Sequence, residues 1–335
     1  MGGLCRGGEI VRRAASDGKA RKREGGRGGG AAAVQVAQDP FFFSPLSHHQ
    51  PHRSLSPAHV AVPTPATPAQ ADAILAALAR AAHPSTLHKV WATLKGALFY
   101  AVTFTLAVPL FVTMLALALP VRLLDPIRRR AQHWVNNVWA KVSTGIFYRV
   151  TITGREHLPP AGAPAVYVAN HQSYLDIYTL FHLDRPFKFI SKTSNFLIPI
   201  IGWSMYLTGH VRLNRVDRRS QLKCLSECGE LLKAGAPVLF FPEGTRSKDC
   251  VMADFKKGAF SVAAKAKVPV VPVTLVGTGA LMPAGQESRL FGGGVTVVVH
   301  PPIPPGDAGA MMVAAREAVA SALPPALRGE AGGGE

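Results

Sequence analysis

The chain has 335 residues and a mass of 35.6 kDa, enough for one globular domain of about 200 residues plus appendages. Lys and Arg number 37 against 20 Asp and Glu, a net charge of +17, yet only 17% of residues are charged, 48% are hydrophobic and the mean hydropathy is +0.16. This mixture excludes a disordered or collagen-like polymer and argues against a nucleic-acid binder; it fits a basic protein working at an anionic lipid surface.

Residues 1–80 carry Gly runs, Arg12, Arg13, Arg21, Arg23 and Arg27, then a Pro, His, Ser and Ala stretch without a sustained apolar period. They are predicted to be disordered, and their scarcity of acids matches an organelle transit segment. Residues 85–148 are predicted to be a helical, membrane-associating segment. Between Lys95 and Arg122 lie 26 residues without a charge. As a helix they would measure about 39 Å against a hydrocarbon core of about 30 Å. Pro109 predicts a kink, so both a spanning helix and one that enters a single leaflet fit. Arg122, Arg128, Arg129 and Arg130 follow the run, while only Lys89 and Lys95 stand close before it, which places the bulk of the chain on the cytosolic or stromal side. From Asp125 to Val150, the apolar residues Trp134, Val135, Val138, Trp139, Val142, Ile146 and Phe147 recur at helical spacing. Such a face suits either a lipid interface or the protein's own core.

After residue 150 the pattern changes to short apolar runs at 163–170, 237–241, 268–277 and 295–303, which read as strands alternating with helical stretches. Residues 149–310 are therefore predicted to form an α/β domain with a mixed, mostly buried sheet flanked by helices and preceded by hydrophobic membrane helices. Residues 311–335 are predicted to be a C-terminal helix and a flexible tail. Cys5, Cys224, Cys228 and Cys250 contain no C-x-x-C pair and read as ordinary thiols. No metal-ligand cluster, P-loop or dinucleotide fingerprint is visible, so no metal or resident cofactor is expected.

Three stretches carry candidate chemistry. In NHQSYLD, His171 follows a strand and Asp176 comes five residues later. On one continuous helix these side chains would diverge, so they meet only if the helix begins between them, with Ser173 as a plausible N-cap. A carboxylate so placed holds an imidazole in the tautomer that leaves its other nitrogen free as a base. The same Ser-x-x-Asp spacing also fits a capping box with no chemical role. In FPEGTRS, from Phe241 to Ser247, Gly244 permits close backbone approach, Thr245 and Ser247 add hydroxyls, and Arg246 offers a planar fork for a phosphate. Either an anion cradle or a solvated loop fits. The apolar run from Phe196 to Leu207 is bracketed by Lys192, Arg212 and Arg215; it suits an acyl-chain groove, a dip into the membrane interface or plain core packing. From Arg185 to Lys267, 15 Lys or Arg stand against 6 Asp or Glu, a field that would draw a phosphate monoester.

Together these pieces resemble the glycerolipid acyltransferase family, and within it the plastid-type 1-acylglycerol-3-phosphate acyltransferases. The likeness covers residues 85–305. His171 and Asp176 match the H-x4-D motif, Arg215 the arginine of the second block, FPEGTRS the third, and VPVVPV with Pro272 the fourth. GTRSKD, FKKGAFSVAAK and VGTGALMPAG look like the plastid branch, with Cys250 standing where a glycine is expected.

The resemblance implies transfer of a fatty acyl group from an acyl-ACP or acyl-CoA thioester, as cosubstrate, to the sn-2 hydroxyl of lysophosphatidic acid. The product would be phosphatidic acid, made at a plastid membrane with the catalytic domain on the stromal side. His171 would take the hydroxyl proton and Asp176 would orient it. Arg246 and Arg215 would hold the phosphate, Gly244 and Thr245 would shape the loop, and Glu243 would bond the glycerol or fix an arginine. No G-x-S-x-G elbow is present, in keeping with direct transfer. A different acceptor, or a lipid-binding scaffold without turnover, is distinguished by assaying several acceptors with wild type and His171→Ala.

Overall fold

The computed structural model describes residues 68–329. The transit reading of residues 1–67 and Cys5 lie outside them. In chain order come α1 (Pro68–Ala82), α2 (Thr86–Ala116), α3 (Ala118–Leu124), α4 (Arg130–Gly145), β1 (Val150–Thr153), β2 (Val166–Ala169), α5 (Leu175–Phe181), β3 (Lys188–Lys192), α6 (Ile201–Thr208) and β4 (Val211–Leu213). Then follow α7 (Arg218–Lys233), β5 (Val238–Phe240), α8 (Gly258–Ala266), β6 (Val270–Val276), α9 (Thr278–Leu281), β7 (Val295–Val299) and α10 (Ala308–Ser321).

The strands form one seven-stranded mixed sheet in the order β1-β7-β6-β2-β5-β3-β4, with only the β6–β7 pair antiparallel. β2, β5 and β6 are buried at every residue, which is why they read as near-continuous apolar runs. Successive residues of β2 serve opposite faces. Tyr167 and Ala169 join a core with Phe99 of α2, Ala140 of α4 and Tyr178 of α5. Val166 and Val168 join a second core with Cys228 of α7, Phe260 of α8 and Ala315 of α10. The sheet thus lies between two helical layers, and the carboxyl ends of β2, β5, β3, β4 and β6 share one edge.

Four expectations need correction. Residues 68–80 are helical, because an alanine-rich segment of high helix propensity presents Ile74, Leu75 and Leu78 to the second core. The C-terminal helix starts at Ala308, where Asp307 accepts from the backbone of Gly309 and Ala310. No flexible tail follows as far as residue 329: Leu323 and Leu327 are buried, and the Leu327 carbonyl accepts the Met252 N–H at 2.9 Å. In α4, Gln132, His133 and Asn137 are buried while Trp134 and Val142 are exposed, so polar residues face inward on a helix whose apolar stripe is shared between core and surface.

α2 runs through Pro109 as one 31-residue helix. Its inner stripe, Ala92, Gly96, Phe99, Thr103, Ala107 and Met114, is buried. Its outer stripe exposes Trp91, Leu94, Leu98, Val108, Val112 and Leu115, continued by Leu119 and Leu123 of α3. It is the one helix among the described residues long and apolar enough to cross a membrane.

Candidate active site

β2 ends at Ala169, and Asn170 fixes the turn that follows: its side chain donates to the Leu275 carbonyl and accepts the Leu275 N–H on β6. His171 comes next. Its Nδ1 lies 2.8 Å from Asp176 Oδ2, and that oxygen also accepts the backbone N–H groups of Gln172 and Ser173 at 2.8 and 2.9 Å. α5 begins at Leu175 with Tyr174 at its cap, so Ser173 is not the cap residue; its hydroxyl accepts the Leu175 N–H and donates to the Met282 carbonyl. The carboxylate reaching back over the start of α5 brings residues five apart together. Because Asp176 is fully buried and bonded as an acceptor, Nδ1 carries the proton, which leaves Nε2 with its lone pair.

β5, next to β2, delivers the FPEGTRS loop to the same edge. The Phe241 ring stacks on the His171 ring with centroids 3.9 Å apart, and the Ser247 N–H donates to the His171 carbonyl at 2.9 Å. Gly244 has φ 83°, a left-handed conformation that lets the chain turn beneath the Lys256 side chain. Thr245 is exposed. Arg246 donates from Nη1 to Glu287 Oε1 at 2.8 Å, a one-pronged pair in which both side chains are about a third exposed.

Glu243 differs from the expectation that it bonds glycerol or an arginine. It is 5% exposed, and its two oxygens accept the backbone N–H groups of His171 at 2.7 Å and Ala253 at 2.9 Å. Burial pushes its carboxyl up to about 7. Arg215 follows β4 at the same sheet edge, three strands from β2, roughly 14 Å away at the usual strand spacing. It is exposed and makes no hydrogen bond to the other candidate residues. Cys250, where a glycine was expected, takes φ 65°, the conformation that favours glycine; burial pushes its thiol up to about 12, so it is inert. No group of three His, Cys, Asp or Glu among the described residues is arranged to hold a metal ion.

Two further features belong to this region. Glu287 carries no motif and stands 41 residues after Arg246, so nothing in the sequence marks it. Its loop is seated on α2: the Tyr100 hydroxyl donates to the Glu287 carbonyl at 2.9 Å, and the Leu290 N–H donates to the Ala92 carbonyl at 2.8 Å. Beside α5 lies an apolar cavity of about 270 Å³, lined by residues that include Phe104, Met114, Trp139, Tyr174, Tyr178 and Met205. Ile198, Ile200 and Ile201 from the run Phe196–Leu207 also line it, and Tyr174 follows the loop that holds His171.

A carboxylate-steered imidazole beside a basic turn at a parallel-strand edge is equipment for general-base chemistry, and the Acyltransferase family model matches residues 149–276, which carry both features. The chain is 67% identical over 241 residues to a 1-acyl-sn-glycerol-3-phosphate acyltransferase of Chlamydomonas reinhardtii, covering 72% of this chain and 73% of that protein. It is 48% identical over 255 residues to the chloroplastic enzyme LPAT1 of Arabidopsis thaliana, covering 76% and 71% of the two chains. The crystal structure of PlsC, the 1-acyl-sn-glycerophosphate (LPA) acyltransferase of Thermotoga maritima, matches with a TM-score of 0.57 and 29% identity over 68% of this chain and 93% of that one. The chain belongs to the 1-acyl-sn-glycerol-3-phosphate acyltransferase family.

Proposed function

We propose that this enzyme transfers a fatty acyl group from an acyl thioester to the sn-2 hydroxyl of 1-acyl-sn-glycerol 3-phosphate, giving phosphatidic acid. The observation that carries this reading is the His171–Asp176 bond, which leaves Nε2 free at the sheet edge, on the loop that leads to Tyr174 in the wall of an apolar cavity. His171 Nε2 takes the hydroxyl proton as the oxygen attacks the thioester carbonyl, and Asp176 stabilises the imidazolium that forms. Collapse of the tetrahedral intermediate breaks the carbon–sulfur bond, and the proton passes from Nε2 to the departing thiolate, so no acyl-enzyme arises. The donor's acyl chain occupies the 270 Å³ cavity. Arg246 holds the acceptor's phosphate, Gly244 and Thr245 shape its loop, and Arg215 adds positive field from the neighbouring strand end. Glu243 is a positioning residue that acts through the His171 backbone.

The donor is carried by acyl carrier protein rather than coenzyme A. Exposed Arg215, Arg218, Arg219 and Lys223 around the start of α7 complement an acidic carrier surface. The chloroplastic name of the Arabidopsis thaliana relative and the outer stripe of α2 support a plastid membrane, and the basic residues Arg122, Arg128, Arg129 and Arg130 after the apolar run support a stromal position for the domain. α2 keeps its inner stripe on the domain from Ala92 to Met114, about 33 Å of helix, so only its outer face is free for lipid. This favours immersion in one leaflet over crossing.

Incubating purified enzyme with lysophosphatidic acid and radiolabelled acyl-ACP or acyl-CoA tests acceptor, donor and reaction together. Label should enter phosphatidic acid faster from acyl-ACP and fall by at least about 10²-fold in His171→Ala. Equal turnover in that variant would overturn the mechanism.

A further inference from the structure

The short segment after β3 runs from Thr193 through α6 and lies against the outer half of α2, where the Phe111 and Trp203 rings meet at 5.8 Å. Phe111 also lines the inner cavity, so this ring pair separates it from a second, outer groove. The groove has a volume of about 560 Å³ and is walled by Phe111, Leu115, Phe196, Trp203, Tyr206 and Leu207. Arg212 is the single charged residue lining it. Its guanidinium stands 5.4 Å from the Phe196 ring centroid and 5.8 Å from that of Tyr206, which hold it at the rim. Among the described residues no carboxylate pairs with Arg212, although it is exposed.

An apolar trough ending in one unpaired, stacked guanidinium has the chemistry of a hydrocarbon chain attached to a phosphate. The trough is continuous with the exposed face of α2 through Leu115, and the same segment exposes Leu197, Trp203 and Tyr206. With α2 immersed as proposed, its lipid-facing side and its anion-facing end would meet the upper chain and the head group of a bilayer phospholipid. The family blocks assign Arg215 and leave Arg212 without a role.

We infer that this outer groove binds one anionic phospholipid of the surrounding bilayer, with an acyl chain along Phe111, Leu115 and Trp203 and the phosphate on Arg212. The lipid fixes the segment around α6 against α2 and so closes the outer wall of the inner cavity. This inference rests on the membrane reading above, and the two can fail separately.

Full-length enzyme in micelles carrying equal phosphatidylglycerol and phosphatidylcholine, released intact into a mass spectrometer, reads the site directly. Wild type should retain one phosphatidylglycerol in preference to phosphatidylcholine. Arg212→Ala should lower that retention about tenfold and erase the preference, with Arg212→Lys between the two and Tyr206→Ala also weakened. Arg212→Ala should still acylate lysophosphatidic acid in the same micelles, showing that the fold persists. Equal retention of the two lipids, or unchanged retention in Arg212→Ala, would overturn the site. So would release of the adduct on addition of acyl donor, which would make the groove part of the substrate path, or a dimer dissociated by Tyr206→Ala, which would place a second copy there. Flotation with vesicles tests membrane association independently: Arg212→Ala should float as wild type does, and a wild-type chain that does not float removes the membrane reading.

Discussion

The Glu243 carboxylate holds the His171 backbone N–H at 2.7 Å while its other oxygen holds Ala253, so one buried side chain joins the loop after β2 to the stretch that follows FPEGTRS. Because burial raises its folded pKa to about 7, above an unfolded value of about 4.3, the folded state binds more protons between those limits. Stability from this group is fully present below about pH 4.3 and falls as pH rises through 7. Glu243→Gln should flatten the melting temperature across that window. The Gln amide keeps one acceptor oxygen and replaces the other by a donor, so one of the two N–H groups, of His171 or Ala253, loses its partner and the loop that carries His171 is held less firmly. We expect kcat to fall about tenfold or more with the KM values little changed, whereas a purely structural role would lower yield and leave kcat alone.

Arg246 and Glu287 form a pair whose two members are each about a third exposed, an arrangement worth about 0–1 kcal/mol. With Arg246 holding the acceptor's phosphate as proposed, that phosphate must share or displace the carboxylate. Glu287→Gln should therefore lower the acceptor KM by no more than about fivefold, and Arg246→Lys should raise it by losing the fork while kcat changes less. In an Arg246→Ala background, Glu287→Gln should have no effect on KM. Initial-rate kinetics over acceptor concentration check all three, and a higher KM in Glu287→Gln would make that residue a positioning group instead.

Lys188 is fully buried on β3, with Nζ donating to the carbonyls of Arg128 and Thr208 and lying 3.2 Å from His133 Nε2. Burial, aided by Arg129 and opposed by Asp125, drives its ammonium down to about 7. Burial also holds His133 well below the ordinary range and His210 down to about 3, so both imidazoles are neutral near pH 7. The unfolded chain then binds more protons than the folded one between about pH 7 and 10.4, and this group's contribution to stability grows as pH rises across that range. Lys188→Met strands two carbonyls and should lower the melting temperature, but its diagnostic effect is loss of the rise between pH 7 and 9. A variant that kept the wild-type slope would assign the titration elsewhere.

What could be read from the sequence was local. β2 and β5 are unbroken apolar runs, β6 and β7 are apolar but for Thr274 and Thr296, and the His171–Asp176 contact needs only a turn between the two residues. β3 and β4 escaped because KFISK begins and ends in lysine and VRL is three residues long. α4 misled because its inward polar face answers to Lys188, 55 residues from His133. Glu287 escaped for the same reason: its partner Arg246 is 41 residues away, and only the seating of its loop on α2 brings the two together. Long-range polar pairing leaves no period in a sequence.

The Asp176 carboxylate can be tested apart from the imidazole it steers. Oδ2 accepts three N–H groups, while Oδ1 is buried without a partner. Asp176→Asn preserves volume and can keep the two backbone bonds through its carbonyl oxygen, but it removes the charge that stabilises the imidazolium and weakens the preference for Nδ1–H. We expect kcat to fall about 10²–10⁴-fold, similar to His171→Ala, with KM for both substrates nearly unchanged. The double variant should be no worse than either single one, because the two groups act as a unit. Losses that instead multiplied in the double variant would mean that His171 and Asp176 serve separate steps, and the mechanism of a carboxylate-steered base would have to be given up.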